Sequence, residues 1–439
     1  MSSSDYRSIS PEAQAALAAA WQAQCDGRLQ WAGEGYQGLL ADWPCWPELH
    51  YRFGLWLYQT GQGDYAVQAL HQAVALAPHQ TAWPNDLGNM LAAQGRHDEA
   101  AAAFILALER DARQVQVWRN LGSVLLAAGK AAEARTAFEQ ALALDPAQAE
   151  SWNSLGTVYA ALGEVLEAAR CQCQAYVLPP HDDKAHHILA IAFYVLGRID
   201  EAAEIYRQWL AQEPENPIAA HMLAACTVEN VPARASDAYL QMYFDQAADV
   251  FDSKMIGTLE YSIPARLDEM LTRHGVGEGL AILDAGCGTG LCGPYLAARA
   301  RQLVGVDLSA RSLALAARKG CYHQLQQVEM VAYLRTLPAD SLDLIASADT
   351  FIYFGALDEL LREMARVLRP GGYLLASAEE RFVEGDFGIT PSGRYQHAQA
   401  YLHQGLESAG MQPVELTQLV VREELALPVD GLLLLAVKR

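Results

Sequence analysis

The chain has few of the features that mark secreted, membrane-spanning or metal-binding proteins. Its 439 residues include 8 cysteines, scattered without a Cys-x-x-Cys pair of the kind that binds zinc. No apolar run in the sequence approaches the roughly 20 residues that a membrane span requires. The opening residues Met1–Tyr6 lack the basic and then apolar order of a signal peptide. We therefore expect a cytoplasmic protein with reduced thiols, no membrane partner and no metal site.

Positive charge is also scarce. The chain carries 31 basic and 52 acidic side chains, a formal net charge of -21. Both halves share the deficit, since 13 basic and 26 acidic residues occur through Asn230 and 18 and 26 occur after it. Nucleic-acid binding depends on clustered cations that displace counterions from phosphates, so we expect no nucleic-acid partner. A hydrophobic content of 52% over this length predicts two or three folded domains.

A regular period runs through the first half of the chain. Trp118 and Trp152 lie 34 residues apart, as do Gly122 and Gly156. This period is the length of the tetratricopeptide helix hairpin, and the segment resembles that repeat family. The positions that match its pattern in two consecutive units are Trp118, Leu121, Gly122, Leu125, Ala134, Phe138, Ala141 and Pro146, then Trp152, Leu155, Gly156, Tyr159, Ala168, Ala175 and Pro180. The same interval gives six repeats from about residue 13 to 216, with a capping helix over Ile218–Ala225.

The resemblance implies a protein or peptide partner in an inner groove lined by the first helix of each hairpin. The polar residues expected in or near this groove are Asn85, Asn89, Arg119, Asn120, Asn153 and His187. An asparagine amide can hydrogen-bond an extended peptide without selecting its sequence. The asparagines also fit a solvated face or bonds to nearby loops, and His187 also fits a plain surface histidine.

A second pattern begins with the apolar strand Ala281–Ala285, which runs into the turn Gly286-Cys-Gly-Thr-Gly290. A further apolar segment then ends at Asp307. In this order the glycines let the backbone approach a ligand, and the acid accepts hydrogen bonds from ribose hydroxyls. A dinucleotide fingerprint requires glycine or alanine three positions after its second glycine, but Leu291 stands there. The spacing therefore favours a nucleoside site without a pyrophosphate.

The series Asp-x-Gly-x-Gly-x-Gly from Asp284 resembles motif I of the class I methyltransferases that use S-adenosylmethionine. Asp343–Asp349 resembles their fourth strand and Leu368–Leu375 the turn into their fifth. The stretch from Tyr243 to the C-terminus, including Ser392–His397, resembles a family of predicted bacterial methyltransferases that carry tetratricopeptide repeats. The resemblance implies a lid in the region from Tyr243 to Pro264.

The two resemblances together predict the fold. We expect an all-α tetratricopeptide superhelix over residues 1–226, a linker with lid helices over 227–265, and an α/β class I (Rossmann-like) methyltransferase core over 266–439. The core is expected to hold a seven-stranded, mostly parallel sheet, completed by strands at Glu415–Arg422 and Gly431–Val437.

The methyltransferase resemblance implies S-adenosylmethionine as the cofactor and S-adenosylhomocysteine as the product. It places Asp284 near the ammonium group, Asp307 on the ribose hydroxyls and Glu329 against the adenine amine. Leu308 and Met330 are expected to flank adenine, and Tyr261 to face the sulfonium. The complete predicted cofactor set is Asp284, Gly286, Gly288, Gly290, Asp307, Leu308, Glu329, Met330 and Tyr261.

Three residues are candidates for the chemistry of methyl transfer. Asp349 is expected beside the transfer point, where it fits a substrate contact, a helix N-cap or both. Tyr353 follows at the pocket mouth and fits either a cation-π contact with the sulfonium or simple packing. His397 titrates near neutrality and fits a general base or a structural hydrogen bond. Glu379, Glu380 and Arg381 fit a polar substrate contact or a solvated loop end.

Three functions remain compatible with this pattern. The first is methylation of a protein or peptide held by the repeat groove, because so large a recognition arm is superfluous for a small metabolite. The second is methylation of a small molecule in a biosynthetic pathway, with the repeats binding a partner or carrier protein. The third is a scaffold that binds the cofactor without turnover. The acceptor atom, the need for a general base and the oligomeric state stay open.

Overall fold

The computed structural model describes residues 9–257, 261–424 and 427–439. The chain divides into two compact units, Met1–Pro179 and Pro180–Arg439. Residues Met1–Tyr6, and Thr258, Leu259 and Glu260 of the predicted lid, lie outside the described residues. No helix in the described ranges is long and apolar enough to cross a membrane.

The described part of the first unit, from Ile9 onward, consists of ten helices that pair into five hairpins. A glycine with positive φ follows the first helix of each pair, and these glycines recur every 34 residues at Gly27, Gly61, Gly95, Gly129 and Gly163, with φ between 74° and 81°. Glycine is favoured there because a side chain strains this left-handed conformation. The helices are α1 (Pro11–Cys25), α2 (Leu29–Asp42), α3 (Pro47–Gln59), α4 (Gly63–Leu76), α5 (Trp83–Ala93), α6 (His97–Arg110), α7 (Val115–Ala127), α8 (Ala131–Leu144), α9 (Ala149–Ala161) and α10 (Val165–Val177).

Close approach of the two helices in a hairpin builds the core of this unit. Phe138 is 1% exposed, and its ring lies over Gly122, where an added Cβ would come within 2.8 Å of the ring. Phe104 and Gly88 repeat the arrangement one period earlier. The small and aromatic positions of the 34-residue pattern are therefore paired core positions, as the repeat resemblance implies.

The second unit begins with a sixth hairpin and a single further helix, and continues into an α/β structure. Its helices are α11 (His186–Val195), α12 (Ile199–Gln212), α13 (Pro217–Thr227), α14 (Asp237–Gly257), α15 (Ile263–Arg273), α16 (Gly293–Ala297), α17 (Ala310–Arg318), α18 (Met330–Thr336), α19 (Asp358–Val367) and α20 (Gln399–Ser408). Its strands are β1 (Leu280–Ala285), β2 (Ala300–Asp307), β3 (Gln324–Gln327), β4 (Leu342–Ser347), β5 (Leu368–Glu380), β6 (Phe387–Ile389), β7 (Tyr395–His397), β8 (Met411–Glu424) and β9 (Leu427–Lys438). A short 3₁₀ turn, Phe351–Tyr353, follows β4.

The sheet has the order β3-β2-β1-β4-β5, with all these neighbours parallel, and β9 and β8 continue it antiparallel beyond β5. This part confirms the predicted seven-stranded fold class. The described residues add two short strands, because β7 pairs with the carboxyl end of β5 and with β6. Since β1, β2, β4 and β5 are parallel, the loops after them meet at one edge of the sheet.

Helix α13 packs against the β6–β7 hairpin within this second unit. Ala225 clusters with Ile389 and Tyr395, and Tyr395 is fully buried. The sixth hairpin and α13 thus belong to the same compact unit as the sheet, whereas the domain boundary proposed from the sequence lies at residue 226.

The packing of the hairpins makes Phe138 a test of the repeat core. Phe138→Ala should lower the free energy of unfolding by about 3–5 kcal/mol, because the cavity it leaves lies against a rigid helix backbone. Urea unfolding of the full chain, followed by helical circular dichroism, measures the loss. Ile105→Ala is the matched control, since Ile105 is 47% exposed, and an equal loss in both variants would contradict the assignment.

Candidate functional site

A cavity of about 260 Å³ lies at the carboxyl ends of the parallel strands in the second unit. One end is lined by Asp284, Gly286, Gly288 and Asp307 and is called the glycine end. The other is lined by Asp349, Arg394, Arg422 and Glu424 and is called the arginine end. Clefts of open parallel sheets form at this edge because the loops after neighbouring strands diverge there.

The loop after β1 presents bare backbone to the cavity. Gly286, Gly288 and Gly290 have φ values of 79°, 51° and 81°, which residues with side chains rarely adopt. A Cβ on Gly290 would come within 3.2 Å of the α17 backbone at Ala316, whereas one on Gly288 would have no atom within 4 Å. Packing therefore requires Gly290, which lies outside the described lining, while Gly288 borders free space that a ligand can fill.

Asp307, the last residue of β2, ties two loops together at the glycine end. One carboxylate oxygen accepts from Gly288 N–H at 2.9 Å, and the other accepts from Ser309 N–H at 2.8 Å. Burial raises the pKa of Asp307, and these backbone donors oppose the rise. Each oxygen has remaining acceptor capacity, so the carboxylate can also accept from ligand hydroxyls.

Asp284 lies at the end of β1 and is 1% exposed. It accepts a hydrogen bond from Tyr322 Oη at 2.6 Å. Burial raises the pKa of Asp284 to about 7, against the lowering effect of Tyr322. A cationic ligand group would stabilise the ionised form here. Tyr322 was missed by sequence reasoning, because it lies 38 residues away in an irregular segment that matches no motif.

Leu308, Glu329 and Met330 also line the cavity near the glycine end. Glu329 is the N-cap of α18 and accepts from the backbone N–H groups of Val331 and Ala332 at 3.0 and 2.7 Å. Its carboxylate therefore fixes the start of α18 and reaches the cavity wall. The arrangement keeps Glu329 available as a further acceptor, as the sequence proposes.

Helix α14, from the predicted lid region, covers the cavity and carries three aspartates at helical spacing. Asp245 accepts from Ser309 Oγ at 2.6 Å, and Asp252 lies 2.8 Å from Lys319 Nζ. Asp252 also accepts from the Thr289 hydroxyl, and Asp249 pairs with Arg311. These contacts fasten the helix to the loops after β1 and β2.

At the arginine end, Asp349 follows β4 with φ of 50° and a side chain that is 18% exposed. Its N–H donates to Ser377 Oγ at 2.8 Å, and that hydroxyl donates back to Asp349 Oδ1 at 3.1 Å. Burial raises the pKa of Asp349, while Arg422, 3.6 Å from Oδ2, opposes the rise. A left-handed aspartate costs of order 1 kcal/mol or more, and such strain concentrates at functional sites.

A buried ion network surrounds Asp349. Arg422 on β8 is 3% exposed, pairs with Glu379 and lies 2.7 Å from Glu424. Arg394 lies 2.8 Å from Glu379 and bonds both oxygens of Glu424. Glu379, which the sequence left between a substrate contact and a solvated loop end, is thus a buried member of this network. Arg422 was not predicted as a site residue, although a charged residue directly after the apolar run Leu419–Val421 of an expected strand is a detectable signal.

The two candidate tyrosines, Tyr261 and Tyr353, line the cavity near the arginine end. The Tyr353 ring contacts Phe244 of the lid helix edge to face, with centroids 5.5 Å apart. Burial raises the pKa of both hydroxyls well above the ordinary range, so both stay protonated. Each can therefore donate a hydrogen bond to a ligand in the cavity.

His397 lies outside the described lining of the cavity. It is fully buried in β7, and its Nε2 is 3.1 Å from the Gly355 carbonyl. Because a carbonyl only accepts, Nε2 carries the proton. Burial lowers the pKa of His397 to about 4, so the ring is neutral near pH 7. A structural hydrogen bond therefore fits the surroundings of His397 better than a role as general base.

The polar residues proposed for the repeat groove contact one another in part. Asn120 donates to Asn89 Oδ1 at 3.0 Å and to Asn85 Oδ1 at 3.4 Å, and Arg119 pairs with Glu150. Asn153 is exposed on α9. His187 belongs to the second unit, where its ring lies 6.2 Å from that of Trp209. The first helices therefore bring Asn85, Asn89 and Asn120 together on one face.

Comparison with known families agrees with the two resemblances. Residues 283–376 match a family model described as a methyltransferase domain. Tetratricopeptide-repeat models match residues 79–147, 119–183 and 183–226. The two families recognised from the sequence are thereby confirmed.

Several curated relatives are methyltransferases. Methyltransferase GfsG of Streptomyces halstedii is 28% identical over 40% of this chain and 73% of its own length. The malonyl-[acyl-carrier protein] O-methyltransferase of Serratia marcescens is 31% identical over 30% of this chain and 50% of its own length. The fatty-acid O-methyltransferase of Mycolicibacterium smegmatis is 33% identical over 22% of this chain and 36% of its own length. The chain thus spans half or less of the length of the last two.

Two solved structures show a partial likeness to this chain. Magnesium protoporphyrin IX methyltransferase of Synechocystis PCC 6803, with bound S-adenosylmethionine, is 17% identical, with coverage of 48% of this chain and 100% of that chain and a TM-score of 0.38. MamA is 21% identical, with coverage of 35% of this chain and 90% of that chain and a TM-score of 0.33.

The position of Asp307 gives a direct test of the glycine end. Asp307→Ala should weaken binding of S-adenosylhomocysteine by about 10–100-fold, because charge-assisted hydrogen bonds to the ribose are lost. Isothermal titration of the full chain measures the affinity. Asp430→Ala removes an exposed aspartate on β9 and is the control. Equal affinities in wild type and Asp307→Ala would show that the ribose assignment is wrong.

Proposed function

Because the chain is an S-adenosylmethionine-dependent methyltransferase that carries tetratricopeptide repeats, we propose that it methylates a compact acceptor at a hydroxyl or amine beside Asp349. The observation that carries this proposal is the strained, partly buried carboxylate of Asp349 in the same cavity as Asp307 and the glycine loop. In this proposal the repeats bind a partner protein, such as one that carries or delivers the acceptor.

The residues at the glycine end fit the cofactor. Gly288 borders free space, Asp307 has acceptor capacity for the ribose, and Asp284 can meet an ammonium group. When bound, the cofactor supplies a methyl carbon attached to a positively charged sulfur. Leu308 and Met330 provide apolar surface for the adenine, and Glu329 an acceptor for its amine.

At the arginine end, the protein has to align the acceptor and remove its proton. Asp349 is proposed to accept that proton. A base works best when its pKa approaches the working pH, and burial moves the pKa of Asp349 in that direction. Tyr261 and Tyr353 keep their protons and are proposed to donate hydrogen bonds that orient the acceptor.

The size and cover of the cavity support a compact acceptor. Helix α14 closes over it, and Phe244, Phe251 and Tyr353 supply aromatic walls. By their names, two relatives also act on compact acceptors, a fatty acid and a malonyl group of an acyl-carrier protein, which supports the proposed size of the acceptor but not its reacting group.

A protein or peptide acceptor held by the repeat groove is the competing proposal. The residues expected to bind such a peptide include Asn120, whose amide is bonded to Asn85 and Asn89, and Arg119, which is paired with Glu150. A peptide that bonded Asn120 or Arg119 would have to replace these contacts. The small-acceptor proposal requires no such exchange.

Labelled methyl groups decide between the two acceptors. The full chain is incubated with cofactor labelled on its transferable methyl group and with source lysate separated into macromolecular and small-molecule fractions. We expect label in small molecules, or in material released from a carrier protein by mild hydrolysis. Hydrolysis-resistant label in protein would favour the peptide proposal, and label in neither fraction would favour a cofactor-binding scaffold. Asp307→Ala controls for transfer that does not depend on the cofactor site.

Asp349→Asn tests the proposed base. The rate of label transfer should fall about a hundredfold or more, because a positioned base contributes about 10²–10⁴-fold. Affinity for S-adenosylhomocysteine should stay within about twofold. In wild type the rate should rise with pH through a pKa above the usual aspartate range, since only the ionised carboxylate accepts a proton, and this rise should vanish in the variant.

Glu380→Gln is the matched control for this variant. Glu380 is a buried carboxylate at the end of β5 that bonds Gln418 and lies outside the described cavity lining. Its variant should keep the wild-type pH profile. A rise that survives in Asp349→Asn would assign the base to another group.

A further inference from the structure

Helix α13 follows the last hairpin of the repeats in sequence but contacts the turn before Arg394 in space. His221 on this helix is 5% exposed, and its Nε2 lies 2.8 Å from the Gly393 carbonyl. The carbonyl can only accept, so His221 donates. The imidazole also stacks on the Tyr239 ring of the lid helix, with centroids 3.9 Å apart. One side chain therefore joins α13, α14 and the turn before β7.

The turn at Gly393 fits α13 without space for a side chain. Gly393 has φ of 83°, and a Cβ there would lie 2.7 Å from Met222 Sδ and 3.3 Å from the Tyr239 hydroxyl oxygen. The Gly393 N–H donates to the Thr390 carbonyl at 2.8 Å, which closes the turn. A movement of α13 would therefore displace the backbone immediately before Arg394.

Arg394 carries this constraint to the proposed base. Its guanidinium binds Glu424 and Glu379, and both carboxylates also bind Arg422. Arg422 in turn lies 3.6 Å from Asp349 Oδ2. Tyr194 on α11 is near the same network. Burial raises the pKa of Tyr194 most, and the charge of the nearby Glu424 raises it further. Contacts thus lead from the last helices of the repeats to Asp349.

We infer that α13 is a working part of the acceptor site, in which His221 is a positioning residue that keeps the Gly393 turn, and through it Arg394, in the network around Asp349. This inference rests on the proposed function, because it gives Asp349 its role. It also gives the repeats a second role. Besides binding a partner protein, they supply the helix, α13, that sets the geometry of the acceptor site.

Three variants of the full chain test the inference. His221→Ala removes the bond to Gly393, whereas the side-chain amide of His221→Gln can still donate to that carbonyl. Asn216→Ala is the matched control, because Asn216 caps the start of α13 through the N–H groups of Ile218 and Ala219 and, within the described part of the chain, makes no bond to the turn. Loss of the cap weakens the same helix without removing the bond to Gly393.

Hydrogen exchange and label transfer are the two readouts. In His221→Ala, amides of residues 392–396 and 422–424 should exchange about three- to tenfold faster, while S-adenosylhomocysteine affinity stays unchanged. Label transfer should fall through a higher apparent KM for the acceptor fraction. His221→Gln should restore both readouts to within about twofold of wild type, and Asn216→Ala should leave both segments at wild-type exchange rates.

Other results would overturn the inference. Wild-type exchange at both segments in His221→Ala would mean that α13 does not hold the turn. If Asn216→Ala showed the same faster exchange at both segments, His221 would only stabilise the helix and would not position the turn. If wild-type protein transferred no label to any fraction, the proposed function would fail, and the exchange pattern alone would then decide whether His221 positions Arg394.

Discussion

The structure of the arginine end of the cavity depends on the need to pair a buried guanidinium. Arg422 is 3% exposed, and an unpaired charge in such a place costs several kcal/mol. Its partners come from three positions: Asp349 after β4, Glu379 in β5 and Glu424 farther along β8. Satisfying one arginine therefore fixes the ends of three strands relative to one another. The base proposed for methyl transfer is held at that junction.

The charges of the network also shape what the cavity can accept. Two guanidiniums face three carboxylates, so the arginine end carries a net negative charge when all are ionised. Both arginines are occupied by these carboxylates, which leaves little attraction for an anionic acceptor. A neutral hydroxyl or a cationic amine meets no such penalty. The glycine end has the same character, because the carboxylates of Asp284 and Asp307 would favour a positively charged ligand.

Sequence reasoning predicted the parts of the fold and site that depend on local pattern. The repeat period, the strand into Gly286 and the acid at Asp307 each follow from residues within one short segment. The ion network does not, because Arg422 lies 73 positions from Asp349 and no local rule pairs them. Sequence reasoning missed Tyr322 for the same reason, because it lies 38 positions from Asp284. His397 was singled out for its ordinary titration range, but burial lowers its pKa, and both His397 and its partner Gly355 lie outside the described cavity lining.

The position of α13 against the turn before Arg394 is the most important feature that local sequence pattern could not predict. By sequence it repeats the first helix of a hairpin, and an unpaired helix at the end of a repeat array ordinarily covers an apolar face. Here its polar edge is occupied as well, since His221 binds Gly393 and the helix leaves no room for a side chain there. A capping helix that only covered apolar surface would not need a buried histidine donor. The bond keeps the helix and the turn before Arg394 in one relative position, which links the identity of a repeat residue to the chemistry proposed for the arginine end.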